Sequence, residues 1–436
     1  MMDKKLESDS SNLSNRKGIF AWMSDITPEQ WKIFGVTFSG WTFGAMNILF
    51  FTFAAVSIAD VFSLSPQAIG GIFSVMLFSS AFGGIFFGIV SDYIGRVRAI
   101  TLTILFYSFF TGLIAFSPNI TFLIVCSIFL GIGMGGQWSS GQVFAAESWP
   151  RQHRGKIIGM VQSGWAVGYI LAAILATLIL SYFEVSIGWR ILFLIGILPV
   201  FLVFYIRRNL SEPKIWRRAS RMRKEKRLEA SGQEFTLNQI FKGELLRYTV
   251  LCTLFTSLCM LAYWGLTFWI PQFLARPIED GGIGLGLRGF IWIVPLNLGA
   301  FLGLNSFGWI SDKFGRRPVF ASFLFILAIL IYFFGQSTTF TQILILGPLV
   351  GFFGAGFYSG FGAMFSELFP TRARATAQGF CYNVGRGVGA FAPPLVGYVA
   401  EVKGYGPALV TVSVFALAAA FVVFALPETK GKKLDI

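Results

Sequence analysis

Charge is what this chain has least of. Of its 436 residues only 13% are Asp, Glu, Lys or Arg and 55% are hydrophobic, whereas a soluble domain is about a quarter charged. A water-facing globular surface is thereby excluded for most of its length. One histidine, His153, and four cysteines (Cys126, Cys252, Cys259, Cys381) offer no metal-ligand spacing. The cysteines fall inside apolar runs as small core residues, so no disulfide, metal or cofactor is expected. The 21 carboxylates lie in tails, in loops or at the ends of apolar runs. A catalytic acid–base cluster has nowhere to form, and an enzyme is not expected. Residues 1–30 contain no apolar core ahead of a cleavage site, so no signal peptide is expected.

Long apolar runs are abundant instead. They lie at about 31–59, 68–90, 97–116, 120–146, 156–182 and 187–206, then at 248–275, 287–310, 317–336, 339–366, 375–400 and 405–426. Each is long enough to cross a bilayer as a helix. The expectation is an all-α integral membrane protein of twelve helices, with 49 glycines allowing close helix packing. Thr27-Pro28-Glu29-Gln30 marks the first start, with Thr as cap, Pro at the first helical position and Gln three residues after the cap.

The chain also repeats itself. Gly88-Ile-Val-Ser-Asp92-Tyr-Ile-Gly95-Arg96 returns as Gly308-Trp-Ile-Ser-Asp312-Lys-Phe-Gly315-Arg316, about 220 positions later. At the same spacing Glu147 maps on Glu367 and Arg154 on Arg374. An in-register duplication of a charged turn between apolar runs predicts two like halves. The expected division is a tail (1–30), a six-helix bundle (31–206), a basic linker (207–247), a second bundle (248–426) and a tail (427–436). Placing both chain ends and every second loop on one side collects 30 of the 35 Lys and Arg. Both termini are therefore expected in the cytoplasm. The net charge of +14 is then a matter of topology. The run from Arg217 to Arg227 reads as a solvated linker against lipid headgroups, with no nucleic acid required.

The duplicated turn resembles the signature of the major facilitator superfamily, and the resemblance runs over roughly residues 30–430. It implies two pseudo-symmetric six-helix bundles and alternating access in a cell membrane. It also implies gating pairs on the cytoplasmic side among Asp92, Arg96, Glu147, Arg154, Asp312, Arg316, Glu367 and Arg374. Gly131-Ile-Gly-Met-Gly-Gly136-Gln137-Trp138, Glu147-Ser-Trp-Pro, Gln162-Ser-Gly-Trp165 and Tyr382-Asn-Val-Gly-Arg386 are similar to the sialate/lactate–proton symporter branch. That branch implies a small organic anion, of lactate, pyruvate or sialate type, as cargo with protons as partners. The chain departs from it where Gly44, Asn47 and Gln137 replace acids, so transport as an anion exchanger or uniporter is the expectation for coupling. A neutral-solute facilitator of the sugar kind is the alternative. A monomer in the bilayer is expected.

Arg386 is the sole charged or histidine side chain placed halfway along a run. A substrate carboxylate would match its planar fork; the alternative is a guanidinium capping backbone carbonyls or reaching a watery cavity. Asn383 and Tyr382 sit one turn earlier. The other midplane candidates for substrate contact are Asn47, Gln137, Gln142, Gln162, Trp165, Tyr169, Tyr263, Trp264, Asn297 and Tyr358. For any one of them a packing role has equal claim.

Overall fold

The computed structural model describes residues 26–149, 154–213, 216–217 and 240–430. Its elements are α-helices and short 3₁₀ turns. The first half holds α1 (Pro28–Phe62), α2 (Pro66–Ile94), α3 (Arg96–Ile114), α4 (Ile120–Ser148), α5 (Arg154–Tyr182), α6 (Val185–Ile195) and α7 (Val200–Asn209). The second holds α8 (Gly243–Ala275), α9 (Ile293–Phe314), α10 (Arg316–Gly335), α11 (Phe340–Gly356), α12 (Gly360–Leu368), α13 (Thr371–Gly389), α14 (Ala392–Lys403) and α15 (Tyr405–Val422). The α6–α7, α11–α12 and α13–α14 pairs are each one span with a break. Eleven spans among the described residues are long and apolar enough to cross a membrane. The twelfth, α13–α14, is too polar in its α13 part, which carries Gln378, Asn383 and Arg386.

Local chemistry sets the boundaries. Thr27 and Gln30 exchange side-chain-to-backbone hydrogen bonds of 3.3 and 2.9 Å, closing a capping box at the start of α1. The sixth span breaks at residues 196–199, where Pro199 cannot donate to the helix ladder. A broken helix in a membrane must satisfy its freed carbonyls internally. Asn47 does so, its Nδ2 donating to the Gly196 oxygen at 2.9 Å. The duplicated turns need glycine for a conformational reason: Gly95 and Gly315 have φ of 112° and 103°, which a side chain tolerates poorly.

Large apolar side chains cover the outside of the helical body, among them Phe86 (58% exposed), Phe109 (60%) and Leu302 (61%). Such a surface suits hydrocarbon and not water. The halves meet along two seams of small residues. On one, α2 lies against α13 and α14: a Cβ on Gly70 would fall 2.7 Å from the Pro393 oxygen, and one on Gly397 2.7 Å from the Pro66 oxygen. On the other, Ala166 of α5 packs with Ala300 and Leu304 of α9 and Ala355 of α11.

Candidate substrate cavity and gates

The duplicated turns sit in matching frames. In the first half Arg96 grips Glu147 with two donors, Nε at 3.1 Å and Nη2 at 2.8 Å, while its Nη1 donates to Ser91 Oγ. In the second, Arg316 grips Glu367 at 3.3 and 3.0 Å and donates to Ser311 Oγ. It also pairs with Asp312 at 2.7 Å. Two acids that sequence reading did not single out complete the frames. The Glu212 carboxylate accepts from the backbone N–H of Arg96, Val97 and Arg98 at the start of α3. Glu428 does the same for Arg316 and Arg317 at the start of α10. A carboxylate there meets both the free N–H groups and the positive end of the helix dipole. Burial alone would raise the Glu428 carboxyl, but N–H donors from Arg316, Lys430, Arg317 and Thr429 outweigh it and hold it below its ordinary value.

Each of these pairs lies inside one half, so in this conformation neither Arg96–Glu147 nor Arg316–Glu367 joins the halves. The side chains of Asp92, Arg154 and Arg374 lie outside the described residues.

Among the described residues the ion pair that crosses is at the opposite end: Arg276 Nη2 and Asp60 Oδ1 are 2.9 Å apart. Near it Tyr169 donates to the Thr267 carbonyl at 3.0 Å, and Gln272 to that of Thr52 at 3.4 Å. That end is shut. Toward the turns no described ion pair joins the halves, and a Cβ on Gly35, Gly159 or Gly379 would meet nothing within 4 Å.

Between the two ends lies a cavity lined by Trp41, Gln162, Trp165, Met260, Tyr263, Trp264, Leu304, Ala355, Tyr358, Tyr382 and Arg386. Trp41, Trp165 and Trp264 form a chain of rings with centroids 5.0 and 5.7 Å apart. Tyr263 and Tyr358 meet edge to face at 4.9 Å. From α4, Trp138 stacks on Tyr382 of α13 at 4.0 Å with planes 3° apart. The Arg386 guanidinium carbon lies 5.0 Å from the Tyr382 ring and 5.5 Å from Trp138. Arg386 is 2% exposed, and its Nε and Nη1 have no hydrogen-bond partner. Besides Arg96 in its frame, it is the one charged side chain buried below a tenth among the described residues.

The structure thus brings Arg386, Tyr382, Gln162, Trp165, Tyr263, Trp264 and Tyr358 to one cavity. It places the other candidates elsewhere. Asn47 is spent on the break of the sixth span. Gln137 accepts from Thr103 Oγ1 at 2.9 Å beside Gly40, within the first half. Gln142 donates to Gln162 at 3.1 Å from behind the cavity wall. Asn297 donates to the Ile293 carbonyl and borders a second space nearer the shut end. Asn383 donates to Gly379 in its own helix, with its oxygen against Gly84 of α2. Trp41, Met260 and the stacking partner Trp138 are additions; only the Trp beside a glycine-rich run hinted at the last.

A model of the Major Facilitator Superfamily matches residues 36–306 and 283–435, and the chain belongs to that family of membrane transporters. It is therefore a multi-pass membrane protein. A putative metabolite transport protein of Haemophilus influenzae is 33% identical, covering 93% of this chain and 98% of that one. A probable 4-methylmuconolactone transporter of Cupriavidus pinatubonensis is 32% identical over 96% and 95%. The niacin transporter NiaP of Acinetobacter baylyi is 28% identical over 91% and 93%. In fold the chain is similar to the xylose transporter XylE from E. coli, with a TM-score of 0.72 at 18% identity over 94% and 100%.

Proposed function

We propose that this transporter carries a small organic carboxylate across the cell membrane, with Arg386 holding the carboxyl group. The observation that carries the reading is the buried guanidinium with two unpaired nitrogens in the cavity between the halves. Desolvating a cation without a partner is costly. The faces of Tyr382 and Trp138 offset part of that cost in the empty site, and a carboxylate supplies the bidentate partner. A relative named for niacin, a ring carboxylate, supports the same class. A neutral sugar would leave the guanidinium unneutralised.

No described Asp, Glu or His lines the cavity, and Asn47 and Gln137 are neutral. A proton has no obvious carrier there, which favours exchange or uniport over proton symport. The excess of Lys and Arg on one side supports cytoplasmic termini and cytoplasmic turns. In that orientation the conformation faces inward, with the Asp60–Arg276 end closed to the outside.

Proteoliposome uptake of radiolabelled benzoate and of glucose tests the reading. Arg386→Ala should weaken carboxylate affinity by about 2–5 kcal/mol, roughly 30- to 4000-fold. Benzoate uptake with unchanged affinity in that variant, or glucose uptake in its place, refutes the assignment. An imposed pH gradient should not drive accumulation above equilibrium; uphill, uncoupler-sensitive uptake would refute the coupling.

A further inference from the structure

The unsatisfied polar groups on the cavity wall are all of one kind. Besides Arg386 Nε and Nη1, the indole N–H groups of Trp41 and Trp264 are buried without a hydrogen-bond acceptor, whereas that of Trp165 faces the Tyr263 hydroxyl. Trp41 and Trp264 are each 3% exposed, and Trp165 packs between them. An indole nitrogen can only donate. The tyrosine hydroxyls can donate or accept and so do not discriminate; that of Tyr358 is turned to Met260 Sδ at 3.3 Å. A buried donor left unpaired is unfavourable, and a cavity that keeps several has its acceptors supplied by what it binds. Arg386 accounts for one acceptor group, a carboxylate, on the reading proposed above.

We infer that the cavity has a second recognition point at the indoles of Trp41 and Trp264, specific for a neutral hydrogen-bond acceptor on the body of the carboxylate. The acceptor is neutral because the cavity holds one cation. A second carboxylate would be desolvated against indole N–H groups and ring faces with no charge to balance it. The ligand class is therefore a planar monoanion, fitted between aromatic rings, carrying a carbonyl, lactone or ring-nitrogen acceptor away from its carboxyl group.

The test is a competition series on the full-length protein in proteoliposomes. Nicotinate and isonicotinate add a ring-nitrogen acceptor to the shape of benzoate, and isophthalate and terephthalate add a second charge. One net hydrogen bond is worth about 3- to 10-fold in affinity. At least one pyridine acid should outcompete benzoate by that factor, and both dianions should compete less well than benzoate. In Trp41→Phe or Trp264→Phe, which keep a ring and remove the donor, the ratio of pyridine acid to benzoate should fall toward one. The inference is overturned if benzoate equals both pyridine acids in the unmodified protein, if the ratio survives both Phe variants, or if a dianion matches benzoate. The unmodified protein decides the first and third outcomes even where a variant does not fold. Loss of benzoate affinity in Arg386→Ala alongside any of these outcomes leaves the carboxylate reading intact and removes only the second point.

Discussion

Asn47→Asp is nearly isosteric, and the structure predicts a pH-dependent loss of stability from it. Asn47 is fully buried and donates to the Gly196 carbonyl where the sixth span breaks. An introduced carboxyl can make that bond only when protonated; ionised, it would face a carbonyl oxygen in a desolvated site. Burial of this kind raises a carboxyl by up to 3–5 pH units from an ordinary value near 3.9. Taking about 3 units at 1.36 kcal/mol each, the folded variant loses about 4 kcal/mol by pH 7 and about 1.5 kcal/mol at pH 5. The sign follows from proton binding. Between the two values the folded variant holds a proton that the unfolded chain has released, so stability falls as pH rises and is flat below about pH 4. Apparent melting midpoints of the purified protein and variant, at one scan rate from pH 4.5 to 8, measure this. The gap between them should widen with pH up to about pH 7 and then level off, while Asn47→Leu, which removes the donor without adding a charge, should show a constant gap. A constant gap for Asn47→Asp, or none, refutes the role given to Asn47. On the same geometry this substitution places an acid at the span break and not in the cavity, so it does not restore proton-driven uptake.

Three further outcomes are expected. Arg276→Ala removes the ion pair across the shut end, a partly exposed pair worth up to about 1 kcal/mol; thiol labelling of Leu266→Cys, placed in the space beneath that end, should rise several-fold, and unchanged labelling refutes the pair as a closing contact. Glu428→Gln should remove a contribution to stability that is present above the ordinary carboxyl value and lost as pH falls through the lower folded one; melting curves of variant and parent should therefore converge on strong acidification, and parallel curves refute it. Single cysteines at Pro118 and Gln336, both exposed, should react with an impermeant reagent in intact cells and one at Lys224 should not, a reversal overturning the orientation.

The helix starts and ends were legible where polar caps and glycines interrupt otherwise apolar runs: Thr27, Gly95 and Gly315 each mark a boundary. The duplication was legible because Ser91, Arg96 and Glu147 recur with their spacing unchanged, and the folded frames reuse that spacing atom for atom. Which face of a helix looks into the cavity was not legible. Helices buried on one side and lipid-facing on the other are apolar all round, so periodicity carries little information. Gln162 and Gln137 look alike in sequence, yet one lines the cavity and the other bonds to Thr103. The breaks at residues 196–199 and 390–391 were also hidden, since glycine and proline are common in intact membrane helices. Arg386 stood out because a mid-membrane charge is expensive wherever it points.

The glycine seam between α2 and the α13–α14 span bears on mechanics. Pro66, Gly70, Pro393 and Gly397 meet backbone to backbone, so there are few side chains to disengage when one half moves against the other. Drawing the two surfaces straight apart would give up the close packing that the glycines permit. Rolling one helix over the other keeps the surfaces touching throughout. Such a seam suits a bearing: a tilt of one half about it would keep the two surfaces touching while the ends of the molecule swing through larger distances.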